Sequence, residues 1–528
     1  MPTLTTHSRG ATDVLPVSTA RERPQNSAPR RLVFAPPGRV GPATTSRGAW
    51  FVMALLAVAG ALGIVFPKAG AALLFAGLGV VWIARTLRDP LTGILGALFF
   101  YPACALLRAS YGAYHFPVWA SGVRLFPELA LTFVFFGLLI RSCKSGARFR
   151  VYSDDVPALL FLLSGIYGFV VGASYLPIYG PLNGWWVSMT PCIFYFAARF
   201  IQPTEAQKDR LLRFFLNSYA VVAIGSFYQF LFRPQFIINL SQAERPYFPA
   251  QTSFPPDVFW RVYTRMESLL FEENVWGTLC TLIALYCLTG LRGGKTPWKT
   301  SCLLALSLAG TVLSQSRGAL LTLAGGVCVL LLLRGRHRTR ILATLAALGL
   351  IGATIMVNWG NSERVVTLVT RAATLTSTDS KHNATSDRSF QWKEGWDIFV
   401  QNPSGIGLGT VGYAAHLSGI GQHRVADGIY FRILAETGIP GILMTFLALF
   451  GTGWVLFRHI FDYACSPSTR RLGMTLFAFH CGFVVQSIGA NTYDFWYLPS
   501  VFWTFFGVFV TLCQREQRAA ALAAASRP

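Results

Sequence analysis

Long apolar segments recur along this sequence and limit what it can fold into. Each is a continuous run of about 17–22 residues, the length that an α-helix needs to cross a bilayer, and none shows the short alternating pattern of a membrane β-barrel. Of the 528 residues, 53% are hydrophobic and only 13% are charged. Water-soluble domains carry about 25% charged residues. The sequence therefore predicts an all-α polytopic membrane protein.

The apolar segments predict about 12–14 transmembrane helices, since about fourteen of them approach the length that a bilayer demands. They begin near Trp50, Gly70, Leu91, Val123, Val156, Trp186, Leu211, Asn274, Thr300, Gly318, Ile341, Gly438, Gly473 and Trp496.

The formal net charge of +22 is distributed in a way that argues against nucleic acid as a partner. The basic residues stand in short loops between apolar segments, where they set topology and meet anionic lipid headgroups. They concentrate in alternate loops, at 141–150, 208–213, 292–299, 334–340 and 458–471, and in the N-terminal tail. By the positive-inside rule, these loops and both termini are cytoplasmic.

Five regions follow from this pattern. Residues 1–49 lack an apolar signal-peptide core and are rich in Pro, Ser, Thr and Arg, which predicts a disordered basic cytoplasmic tail. The others are 50–264, N-terminal transmembrane helices with an outer loop; 265–441, a core; 442–514, C-terminal transmembrane helices; and 515–528, a cytoplasmic tail. Within the core, the polar segment 359–437 is predicted to form a helical extracytoplasmic cap.

One arginine stands where an apolar helix is expected. Arg317 lies within "TVLSQSRGALLTL", between two apolar runs, and a guanidinium at the bilayer centre would cost roughly 2.5–3.5 kcal/mol. The predicted topology places the "SQSR" turn at the outer boundary, where the side chain can snorkel into water. Its position is then tolerable, but snorkelling does not explain what it binds.

The cap segment contains an amphipathic helical pattern. Trp392, Trp396, Phe399 and Val400 recur at helical spacing, with Asp387 where an N-cap is expected. Two interpretations are open: an interfacial helix resting on headgroups, or a helix that directs Arg388, one turn before Trp392, toward a lipid-linked ligand.

The stretch "NPSGIGLGTVG" matches G-x-G-x-x-G at Gly407, Gly409 and Gly412. It follows an amphipathic helix rather than a strand, so we reject a nucleotide site. We expect a glycine-rich turn that packs closely against other backbone.

The stretch "HRVADGIYFRILAETGIPG" supplies further candidates. His423 and Asp427 are four residues apart, but two ligands do not complete a metal site. None of the ten cysteines forms a C-x-x-C pair, so neither zinc nor a disulfide framework is indicated. We therefore predict no metal and no cofactor, with Asp427 as a catalytic carboxylate. Arg432 and Glu436 form an i,i+4 pair of the kind that contributes only about 0.2–0.5 kcal/mol.

Two more residues bracket the entry into a predicted span. Arg265 and Asn274 belong to "TRMESLLFEENVWGTL". The interpretation of Arg265 that requires no function is a solvated charge in a loop. On the inner side, Asp155 precedes Val156 and Pro157 and is interpreted as a helix cap. Arg265, Arg317, Arg388 and Asp427 all fall on one predicted face of the membrane. Arginine suits phosphate oxygens because its planar fork donates two hydrogen bonds, so this face suits a lipid-linked diphosphate.

Over about a third of the chain, from Arg265 to Gly441, the sequence resembles the O-antigen ligase and polymerase family of bacterial membrane proteins. The resemblance is carried by "RMESLLFEEN", "SQSRGALL", "DRSFQWKEGW" with "NPSGIGLG", and "DGIYFRILAETGIPG", in this order. It implies glycan transfer from undecaprenyl diphosphate at the periplasmic face of the inner membrane, without metal or nucleotide. Arg265, Arg317 and Arg388 would bind the donor diphosphate, with His423, Glu436 and Asn274 as further candidates.

One departure from the family pattern bears on the acceptor. Ligases carry a histidine followed by Asn, Ser or Gln shortly before a G-x-x-G, which is Gly438 to Gly441 here. The corresponding pair is Asp427 and Gly428, and His423 is out of register. The resemblance therefore favours a polymerase of lipid-linked repeat units for exopolysaccharide or O-antigen. The alternatives are a ligase that transfers glycan to lipid A core, and a flippase for lipid-linked oligosaccharides. Expected partners are the lipid-linked donor and acceptor, membrane lipids, a chain-length regulator and a flippase.

Overall fold

The computed structural model shows an all-α protein. It describes residues 67–96, 98, 126–145, 151–232, 266, 273–291, 297–333, 339, 341–342, 345–346, 384–412, 415, 428–462, 465–490, 492–494 and 497–526. Within these ranges the chain forms helices and no β-strand. The fold-class prediction is confirmed.

The helices are numbered in chain order. They are α1 (Pro67–Arg88), α2 (Phe126–Ser145), α3 (Val156–Tyr175), α4 (Tyr179–Ile201), α5 (Glu205–Phe232), α6 (Glu273–Gly290), α7 (Trp298–Leu313), α8 (Arg317–Leu333), α9 (Ala384–Gln401), α10 (Ile429–Ile460), α11 (Pro467–Gln486) and α12 (Tyr497–Ala525). Short 3₁₀ turns at Ser153–Asp155 and Thr492–Asp494 precede α3 and α12.

Four helical segments in the described ranges are long and apolar enough to cross a membrane. They are Ser153–Tyr175, Glu205–Phe232, Ile429–Ile460 and Tyr497–Ala525. The most apolar part of the last is 94% buried, against 33–39% for the other three. The C-terminal helix α12 is therefore enclosed by its neighbours, while the other three expose apolar side chains of the kind that face lipid. Together with the helical fold, these segments make the chain a polytopic membrane protein.

Most predicted spans coincide with a helix, although boundaries shift by several residues. Spans expected near Trp186 and Leu211 begin earlier, at Tyr179 and Glu205. The spans expected near Trp50 and Ile341 lie wholly or largely outside the described residues, so their number stays a prediction.

Two predicted helix caps are wrong in detail. Asp155 occupies the N-cap position of α3 as predicted, but its side chain makes no hydrogen bond to the first turn of α3. Its carboxylate accepts instead from the Tyr152 N–H before the 3₁₀ turn (2.8 Å), and from Arg199 Nε (2.7 Å) and the Tyr195 hydroxyl (2.6 Å) of α4. Helix α9 begins at Ala384, so Asp387 lies inside the helix rather than before it. The Asp155 carboxylate pairs with the buried Arg199 guanidinium, because an unpaired buried charge is costly.

Buried charges join four helices at the end of the bundle where α3 begins and α10 ends, called the basic end. The Asp155–Arg199 pair is buried on both sides. Next to it, Asp154 accepts from Arg458 Nη2 (2.5 Å) and lies 3.1 Å from His459 Nε2. The Asp154 carboxylate also accepts from Gln514 Nε2 of α12 at 2.8 Å. These contacts set the positions of α3, α4, α10 and α12 relative to one another.

Candidate functional site

The candidate site lies at the opposite end of the bundle, where α6 and α8 begin and α11 ends. We call it the site end and define it by Asn274, Arg317 and Gln486. The helix ends that meet there are those that the sequence predicts to lie at the outer face of the membrane.

Arg317 is the first residue of α8 and is partly buried. The tight turn before it requires a left-handed residue, Gln315 (φ 51°). The Ser316 hydroxyl then caps the helix by accepting from the Ala319 N–H at 3.2 Å. A helix start presents unpaired N–H groups and a partial positive charge, so a guanidinium placed there lies in a local environment that favours an anion.

Asn274, a further candidate, ties the start of α6 to the same turn. Its side-chain oxygen accepts from the Ser316 hydroxyl at 2.9 Å, and its carbonyl accepts from Thr278 Oγ1 at 2.7 Å. In this structure Asn274 therefore acts on the position of the turn that carries Arg317.

Arg265 lies outside the described residues, but the residue after it is placed. The Met266 N–H donates to the Leu313 carbonyl at 3.0 Å, and Met266 is buried. The chain at position 266 thus runs beside the turn between α7 and α8. If Arg265 and Arg317 bind the same ligand, their chain segments must lie close together, and residue 266 lies close to the turn before Arg317.

Gln486, the last residue of α11, was missed in the sequence. It is buried, and its side-chain oxygen accepts from Thr278 of α6 (3.2 Å) and from Thr322 of α8. The signal was available, because an amide inside an otherwise apolar span needs partners on neighbouring helices.

Asp427 and His423 also lie outside the described residues. Gly428, directly after Asp427, precedes α10 with φ 91°. A side chain at 428 would come within 2.7 Å of the Ile488 carbonyl oxygen, and the Ile429 N–H donates to the Ser487 carbonyl at 3.1 Å. The residue after Asp427 is therefore fixed against the end of α11, next to Gln486.

The helix that carries Arg388 packs on the same region. Arg388 lies in α9. One turn later, the Trp392 ring stacks on Phe431 of α10, with centroids 5.5 Å apart. Trp396, on the predicted stripe, remains half exposed. Helix α9 is thus attached to protein through Trp392, while part of its apolar stripe is left open.

The glycine-rich stretch packs against other backbone, as predicted. Gly407 and Gly409 both have positive φ. A side chain on Gly407 would lie 2.0 Å from the Gly172 Cα of α3, and one on Gly184 of α4 would lie 2.4 Å from the Gly409 nitrogen. The segment from 402 to 412, called the glycine loop, therefore passes between α3 and α4 at a distance that only glycines allow.

Glu436 holds this loop in place. Its Oε1 accepts from the Gly409 N–H at 2.9 Å, and its other oxygen lies 3.8 Å from Arg432 Nε. Arg432 in turn donates to the Ser188 hydroxyl of α4 at 3.2 Å. Both charged side chains are almost fully buried, so the pair differs from the weak surface pair expected from its spacing. Glu436, predicted as a possible substrate-site residue, therefore holds the glycine loop in position in this structure.

Within the described part of the chain, no group of three or more His, Cys, Asp or Glu side chains is arranged to hold a metal ion. His423 and Asp427 fall outside that part.

Comparison with known proteins gives a family match over part of this region. Residues 302–446 match the family described as O-antigen ligase. The match runs from α7 through the "SQSR" turn, α9, the glycine loop and the start of α10. No curated protein matches the chain. The resemblance found in the sequence is confirmed over this region.

Proposed function

Since residues 302–446 of this chain match the family described as O-antigen ligase, we propose that it polymerises oligosaccharide repeat units carried on undecaprenyl diphosphate. Members of the family are glycosyl-transferring enzymes, and the chain is a membrane enzyme of this general type. The donor, the acceptor and the face of the membrane belong to the proposal. We place the reaction at the outer face of the bacterial cytoplasmic membrane, with both termini cytoplasmic.

The observation that carries the proposal is the convergence at the end of α11. Arg317 begins α8 there. Met266, the residue after Arg265, donates a hydrogen bond to the end of α7, next to the turn that precedes Arg317. Gly428, the residue after Asp427, packs against Ile488, two residues after Gln486. A cation at a helix start suits the donor diphosphate. A carboxylate on the neighbouring segment suits a proton acceptor.

In the proposed reaction, an acceptor sugar hydroxyl attacks the anomeric carbon of the donor glycan. A new carbon–oxygen bond forms while the bond from the anomeric carbon to the phosphate oxygen breaks, and its electron pair leaves with the diphosphate. Asp427 takes the hydroxyl proton as a general base. Arg317, with Arg265 and Arg388, stabilises the charge that grows on the departing phosphate, where preorganised donors are most effective.

The identity of residue 427 favours a polymerase over a ligase. Aspartate stands where the family's ligases carry histidine, and exopolysaccharide-type members often carry aspartate there. A ligase remains the second candidate, because the matching family is described as O-antigen ligase. The two share their donor chemistry and differ in acceptor.

The acceptor is therefore the decisive variable in a test with purified protein. We expect a ladder of lengthening glycans when a lipid-linked repeat unit serves as both donor and acceptor. Transfer to lipid A core should be absent, and chelation of divalent cations should leave the ladder unchanged. A single transfer onto lipid A core, with no ladder, would identify a ligase instead.

The orientation can be tested by cysteine labelling in a variant that lacks the ten native cysteines. A cysteine at Ser380 or Gly419 should react with a membrane-impermeant maleimide in cells whose outer layer is permeabilised. A cysteine at Arg338 should react only after the inner membrane is opened, and this second step controls for its reactivity. The reverse labelling pattern would contradict a periplasmic site.

A further inference from the structure

We infer that Gln486 is a positioning residue, which fixes the start of α8, and so Arg317, relative to the start of α10 after Asp427. This inference rests on the proposed function. It assigns a role to a buried amide at the site end, on the helix whose end contacts both sides of the proposed reaction centre.

Gln486 forms hydrogen bonds with several neighbouring segments. Its Oε1 accepts from Thr322 of α8 and from Thr278 of α6, and its Nε2 lies 3.0 Å from Thr278 Oγ1. A third contact reaches Thr492, before α12, at 3.5 Å. One side chain thus connects α11 to three neighbouring segments. A buried amide costs free energy unless it is hydrogen-bonded, so these partners restrict the helices to the spacing that satisfies it.

Gln486 also contacts the residue after Arg317 directly. A side chain added at Gly318 would lie 2.8 Å from Gln486 Cγ and 3.0 Å from its Nε2. The first turn of α8 therefore rests on Gln486 with no space between them. A displacement of this side chain displaces the backbone that carries Arg317.

The end of α11 also contacts the start of α10. Ser487 and Ile488, which follow Gln486, contact the start of α10 at Ile429 and Gly428. The proposed phosphate-binding and proton-accepting sides are thus both supported by three consecutive residues. The distance between them depends on how the end of α11 is held, and Gln486 holds it.

The same pair of helices offers a matched control. At the basic end of α6 and α11, the Thr289 and Thr475 hydroxyls are buried and 2.8 Å apart. This contact resembles that between Gln486 and Thr278 in burial and in the helices it joins. It lies about three turns nearer the N-terminal end of α11. Thr475→Val removes a buried hydrogen bond without touching the site.

The experiment measures kcat and donor KM for Gln486→Met, alone and combined with Arg317→Lys. Methionine preserves length and packing but removes the amide. We expect kcat to fall on the order of 10²-fold, as for a misplacement of about 1 Å, with a smaller change in donor KM. Thr475→Val should keep the wild-type kcat. Gln486→Met combined with Arg317→Lys should be little worse than Arg317→Lys alone, because a residue that acts through Arg317 cannot cost much once Arg317 has lost its function.

A second variant guards against loss of folding. Thr322→Val removes one bond to Gln486 and leaves the amide in place, and melting temperatures are compared with that of Thr475→Val. It should lower kcat less than Gln486→Met and show the same non-additivity with Arg317→Lys.

Wild-type kcat in Gln486→Met, with activity lost in Arg317→Lys, would overturn the positioning role and leave the proposed function intact. Multiplying effects in the double variant would also overturn it, because Gln486 would then act independently of Arg317. A wild-type rate in Arg317→Lys would overturn both.

Discussion

Replacing Arg317 with lysine is expected to lower the turnover of the lipid-linked donor by about 10²–10³-fold, the loss typical when one preorganised donor to a developing charge is removed. Lysine keeps the positive charge and can still snorkel, but it lacks the planar fork that donates to two phosphate oxygens. Membrane insertion should be normal, because the helix start and its Ser316 cap are untouched. The measurement is the rate of glycan elongation by purified protein.

The matched control is the same substitution at Arg210, which pairs with Asp89 at 3.1 Å and is exposed. Exposed pairs contribute little, so Arg210→Lys should elongate glycan at the wild-type rate. Should Arg317→Lys also elongate at that rate, the phosphate-binding role would be wrong, and snorkelling alone would account for the residue.

Replacing Asp427 with asparagine is expected to lower kcat by about 10²–10⁴-fold, the usual contribution of a general base. The substitution removes basicity and preserves size, so donor binding should remain nearly intact. Chain length on a gel reports elongation, while donor affinity is measured separately. Loss of both would indicate a structural rather than a chemical role.

Asp397→Asn provides the control for Asp427→Asn, since Asp397 is an exposed residue of α9. It should leave elongation unchanged, and expression and thermal stability should match across the set. Near-normal elongation by Asp427→Asn would move the base elsewhere. His423 is then the next candidate for the base. Glu436, the remaining candidate, is less suited because its carboxylate is buried and accepts a hydrogen bond from the Gly409 N–H.

The helical membrane fold was predictable because its signal is local and repeated. A continuous apolar run specifies a helix almost regardless of its neighbours. The glycine loop was predictable for a similar reason, since three closely spaced glycines favour backbone conformations and approaches that other residues resist. The exact helix limits were not, because α4 and α5 continue beyond the apolar run through polar turns.

The missed features all depend on pairing between distant segments. Asp155 looks like a cap until Arg199 of α4 is placed beside it. The Arg432–Glu436 pair looks like a surface pair until α4 and the glycine loop enclose it. Gln486 has no neighbour in sequence that reveals Thr278 or Thr322. Each of these side chains is defined by partners that only the packed bundle supplies.

The order of synthesis separates the two sides of the glycine crossing. Helices α3 and α4 emerge from the ribosome long before Gly407, and each faces the later loop with a glycine, Gly172 or Gly184, which leaves room for the loop backbone. The loop can settle there only after both helices are in the bilayer. Its anchor, Glu436, is translated later still. A chain interrupted before α10 would hold its first helices yet lack the Glu436 anchor of the glycine loop, so the crossing becomes complete only when α10 has been added.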